Sequence, residues 1–95
     1  MKRTCIDVSK CQTIDAVYTV LLAELGAPDW HGRNLDALWV SITDEDINEI
    51  KPPYYIEVRG ADRLPLELVS LLTRIRTLFE EAEAQQGISV YFKIA

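Results

Sequence analysis

Ninety-five residues, 48% of them hydrophobic and 26% charged, describe an ordinary globular chain expected to form a single domain over 1–95, and exclude disordered, collagenous and linker classes. No run approaches the roughly 18 apolar residues of a membrane span, the opening MKRTCIDVSKCQ lacks a signal-like apolar core, and Cys5 and Cys11 have no companion cluster for zinc or a disulfide framework. A cytoplasmic protein with reduced thiols, no membrane partner, no metal and no cofactor is therefore expected. The net charge is −5, and the window 29–50 carries all of it, with Asp29, Asp36, Asp44, Glu45, Asp46 and Glu49 set against Arg33 alone. Such a window argues against direct nucleic-acid binding, which needs cations to displace phosphate counterions, and suits a basic partner.

In chain order, RTCIDV (3–8) is short and rich in strand formers, as a first strand buried on both faces would be. From Thr13 the period changes. Ile14, Val17, Tyr18, Leu21, Leu22 and Leu25 form one helical stripe, capped by Thr13 and stopped by Gly26 and Pro28. A second helix opens at Asn34, with Leu35, Leu38, Trp39 and Ile42 on one arc and Asp36, Val40, Thr43 and Asp44 on the next. Trp39 falls on the border between core and water.

After the acidic run DEDINE, the segment PPYYIEV (52–58) predicts a second strand that begins only beyond its prolines, since neither has an N–H for the ladder. A long helix runs from near Pro65 to about Gln86, with Leu68, Leu71, Leu72, Ile75, Leu78, Phe79 and Ala82 as its buried stripe and Gly87 as its stop. ISVYFKI (88–94) alternates and predicts a third strand. The order strand, helix, helix, strand, helix, strand points to a small α/β domain with a parallel sheet and right-handed crossovers.

The catalytic inventory is thin. His31 is the only imidazole, and no nucleophile motif accompanies it. It can be a solvent-exposed or loop-packing histidine, a partner contact or, paired with Asp36, the base of a small enzyme. The carboxylates of DEDINE lack calcium-loop spacing, and the four glycines form no phosphate-cradling turn. Trp30, in a loop with Pro28, Asp29 and Gly32, either covers the helix ends or serves an interface. Aromatics bordered by charge are the composition of binding hot spots. The acidic run is either a solvated loop or part of the same face. Glu80, Glu81 and Glu83 oppose the negative pole of the long helix, a placement that helix stability alone disfavours.

PDWHGRNLDALW, followed by Ile42 and Thr43, resembles the barstar family of small intracellular inhibitors of a secreted ribonuclease, and the likeness extends over nearly the whole chain. The resemblance implies a three-stranded parallel sheet flanked by helices, no catalytic activity, and a 1:1 complex in which loop and second helix plug the ribonuclease active site. Carried over, Trp30, Asp36, Trp39 and Thr43 match contact residues and Glu81 a peripheral helical acid; His31, Gly32, Val40 and Asp44 complete the expected partner-binding set. Two positions depart from the family. Val40 stands where the family has its main phosphate-mimicking aspartate, and Asp44 stands where it has glycine. Either Asp44, Glu45 or Asp46 supplies the missing charge to a related nuclease, or the target is a toxin with a different active site. The second is favoured, because one helical turn displaces a carboxylate by about 5 Å. A regulatory interaction module on the same scaffold is the rival from another class.

Overall fold

The computed structural model describes residues 1–44 and 46–95. Its elements are β1 (Lys2–Asp7), α1 (Ile14–Leu25), α2 (Leu35–Thr43), β2 (Tyr54–Arg59), a short 3₁₀ turn at Ala61–Arg63, α3 (Leu66–Gln86) and β3 (Val90–Ile94). The three strands form one sheet in the order β1-β2-β3, every pair parallel. The α/β architecture is therefore the expected one. Only the 3₁₀ turn had no signal in the pattern.

Local chemistry sets the ends. The Thr13 hydroxyl accepts from the Ala16 amide at 3.0 Å and Gly26 closes α1 in the left-handed conformation. The Asn34 side chain accepts from the Ala37 amide at 2.8 Å to open α2. Each bond satisfies a backbone donor that the first helical turn leaves free.

Register places Ile6 beside Val58, Ile56 beside Phe92 and Tyr54 beside Val90, so one face of the sheet is mainly apolar, with Thr4 and the exposed Lys2 at its β1 edge. Ile6, Val58, Ile56, Phe92, Tyr54 and Val90 are all buried. Against them lie Val17, Leu21 and Leu25 of α1, Leu38 and Ile42 of α2, and Leu68, Leu72, Ile75 and Phe79 of α3. Phe79 is the hinge of this packing, stacked on Phe92 at 5.2 Å and edge-on to Tyr54 at 6.3 Å. Leu78 is only half-buried at the margin, and Ile14 is largely exposed.

The expectation that the first strand is buried on both faces is wrong. Arg3, Cys5 and Asp7 are exposed, and beside them Tyr55, Glu57, Tyr91 and Lys93 form a face with no helix over it. The cause is topological. Two right-handed crossovers in a sheet whose strands follow chain order deliver every helix to the same side. The bare side is furnished accordingly, with Arg3 lying over the Tyr55 ring at 5.2 Å and Arg59 paired with Glu57 at 2.9 Å.

Candidate functional site: an aromatic and acidic face

The loop between α1 and α2 leaves α1 at Gly26 and is turned back by bonds from the Ala27 amide to the Leu22 carbonyl at 3.0 Å and from the His31 amide to the Pro28 carbonyl at 3.0 Å. This fold-back divides two neighbouring rings. Trp30 projects outward and is 76% exposed, while His31 turns inward and is 8% exposed. The imidazole Nδ1 lies 2.6 Å from the Gly32 carbonyl oxygen. A carbonyl can only accept, so Nδ1 carries the proton. Nε2 is buried without a hydrogen-bond partner. Among the described residues neither nitrogen is bonded to a hydroxyl, thiol or carboxylate, and burial keeps the unprotonated Nε2 from solvent.

Beyond the loop, α2 has two faces. Leu38, Ser41 and Ile42 are buried, and Leu35 and Trp39 are partly buried against the core. Asp36, Val40 and Asp44 follow one another at four-residue intervals on the outer row, where Asp36 and Asp44 are exposed and Val40 is 51% exposed. The partly buried Trp39 borders the same row, so an exposed valine and an indole lie side by side there. The Thr43 hydroxyl donates to the Trp39 carbonyl at 2.8 Å, which leaves its lone pairs for an outside donor.

The acidic segment that follows is anchored rather than loose. Asp44 ends α2, its amide bonded to the Val40 carbonyl at 2.9 Å and its carboxylate accepting from the Asp46 amide at 3.0 Å. Asn48 is buried and donates to the Ser41 carbonyl at 3.3 Å, and the amides of Glu49 and Ile50 bond to the Gly26 and Leu25 carbonyls, each at 3.1 Å. Asn48, Glu49 and Ile50 thus tie the C-terminal end of this run to α2 and to the end of α1, a role invisible in the acidic composition. Glu45 lies outside the described residues. Glu81 is exposed on α3 and shares no hydrogen bond or ion pair with the loop–α2 cluster among the described residues. Trp30 and Gly32 thus lie on the loop, Asp36, Trp39, Val40 and Thr43 on α2 and Asp44 at its end, with Trp30, Asp36, Val40 and Asp44 exposed and His31 buried. No group of three or more potential metal ligands occurs among the described residues, and no helix there is long and apolar enough to cross a membrane.

The whole chain, residues 1–95, matches the family profile described as Barstar (barnase inhibitor). The chain belongs to the barstar family. The three-stranded parallel sheet with its helices is consistent with that membership.

Proposed function

We propose that this barstar-family chain is an intracellular immunity protein that neutralises a toxin, a basic ribonuclease, by filling its active site with the loop and α2 in a 1:1 complex. The observation that supports this best is the exposure of two large apolar side chains, Trp30 and Val40, between carboxylates on a capped helix and an anchored loop. A monomer gains nothing from an indole in water, whereas an interface centre of aromatics ringed by charge is the usual form of a hot spot. Asp36 and Asp44 meet cations of the cleft. Val40 meets an apolar contact where other family members present a carboxylate, so the target is a ribonuclease or other toxin whose central subsite is not a phosphate pocket of the family's usual kind.

The test is capture and inhibition. The immobilised protein is exposed to secreted and cell-associated proteins of its source, and the retained protein is assayed for RNA cleavage with and without this chain. The expected result is a basic ribonuclease silenced at one equivalent. Trp30→Ala or Trp39→Ala should each weaken that complex by about 2 kcal/mol or more. Asp36→Ala should cost a comparable amount, as charge pairs do in the barnase–barstar complex from which that rule is drawn. Capture of a partner without nuclease activity would move the function to another toxin class or to regulation, and unchanged affinity in all three variants would remove this face altogether.

A further inference from the structure

Arg33 is the single cation of the −5 window, and against a basic partner it is a liability. Its guanidinium is instead turned inward to α1. Nη1 donates to the Asp15 carbonyl at 3.0 Å and to the Thr19 hydroxyl, and Nε lies 3.4 Å from the Asp15 carboxylate. Two residues earlier, His31 lies over the same helix. Between loop and helix there remains a cleft of about 230 Å³ lined by Thr19, Leu22, Ala23, Pro28, His31 and Arg33. The loop therefore does not close fully on α1. Beyond the Ala27–Leu22 backbone bond at its start, the side-chain bonds that tie it to α1 are those of Arg33, while the contact of His31 with Gly32 is internal to the loop and fixes the ring.

We propose that Arg33, with His31 beneath it, is a positioning device for Trp30: it clamps the 28–34 loop to α1 so that the indole is presented in one orientation before a partner arrives. This rests on the reading of Trp30 as a contact residue, but the clamp itself does not. An interface side chain on a free loop loses conformational entropy on binding, and a loop fixed beforehand has already lost it. The favourable placement of Trp30 thus outweighs one unit of unfavourable charge. His31 and Arg33 serve the interface without touching the partner's active site.

The first measurement needs no partner. In a Trp39→Phe background Trp30 is the sole indole, and its time-resolved anisotropy is read together with hydrogen exchange at the His31 amide. Arg33→Gln should release fast indole motion and raise that exchange about 10-fold through local opening, with the urea midpoint of the fold unchanged. Arg33→Lys should recover part of the loss, and Thr19→Val, which keeps every charge, should shift both readouts the same way to a smaller extent. Unaltered anisotropy and exchange in Arg33→Gln and Thr19→Val would overturn the clamp. The second measurement uses the captured ribonuclease. Charge alone predicts that Arg33→Gln binds a basic enzyme more tightly, whereas the clamp predicts about 10-fold faster dissociation, abolished when Trp30→Ala is already present. Tighter binding would overturn the clamp. If Trp30→Ala leaves binding intact while the anisotropy responds as expected, the clamp stands and the proposed interface fails.

Discussion

Val40 and Trp30 are large apolar side chains left in water next to buried residues. Leu38 and Ile42 flank Val40 in the helix and are buried; His31 adjoins Trp30 and is buried. Exposure here follows from which way each side chain points rather than from a shortage of core. Val40→Asp tests the consequence directly, since it restores a carboxylate between Asp36 and Asp44. Against the natural partner it should cost at least about 2 kcal/mol, the penalty of placing an unpaired charge where a nonpolar contact was. Against a barnase-type ribonuclease the same variant should gain affinity. Parallel titrations of both enzymes check this, and a variant that tightens toward both would show that Val40 discriminates nothing. The thiols differ by the same logic of orientation: Cys5 is exposed on the bare sheet face, whereas burial and the nearby Asp7 push the Cys11 thiol up from its ordinary value.

Among the elements, the caps of α1 and α2 and the stop of α1 decide how the loop is presented. Gly26 has φ +67°, and a Cβ there would lie 2.6 Å from Glu49 Cβ, because the anchored acidic segment passes directly over the helix end. Gly87 has the same φ at the end of α3 with open space around it. The two glycines thus separate backbone strain from crowding. Gly87→Ala should cost about 1 kcal/mol, the left-handed strain of an L residue. Gly26→Ala should cost clearly more, by about another 1 to 3 kcal/mol of overpacking. Asn34→Ala removes the cap of α2 and should cost about 1 kcal/mol. Urea denaturation of the three variants ranks them, and equal losses at Gly26 and Gly87 would show that the acidic segment yields freely.

Across the whole molecule, charge and shape are segregated. The window 29–50 holds the full −5 of the chain, and the helix-free sheet face carries Arg3, Asp7, Lys93 and an Arg59–Glu57 pair, which leaves it with little net charge. A protein so polarised approaches a basic cleft with a preferred face. Association with a basic ribonuclease should therefore be about 10-fold or more faster at low salt and should lose that advantage as ionic strength rises, as it does for the barnase–barstar pair that serves as the standard case of steering. Stopped-flow mixing over a series of salt concentrations measures it. A rate indifferent to salt would mean that the acidic window stays outside the interface.

The elements are written locally in the chain, because helix caps, glycine stops and apolar periods act within a few residues of one another. The stripe of α1, the cap at Asn34, the long α3 and the placement of Trp39 on the border were all legible for that reason, and the string Asn-Leu-Asp-Ala-Leu-Trp carried the family. Only the tertiary structure decided which side of each strand meets water. The β1 segment looked fit for burial on both faces, and it is bare on one because the crossovers send all helices to the other, a long-range fact with no local signature. The same holds for His31 and Arg33. Their residue types suggested chemistry or charge, and only the fold-back of the loop onto α1 turned one ring inward and spent the guanidinium on Asp15 and Thr19, eighteen and fourteen residues away. Periodicity reports the environment of a helix or strand, but the direction of a side chain in a loop is set by whatever distant surface the loop is laid against.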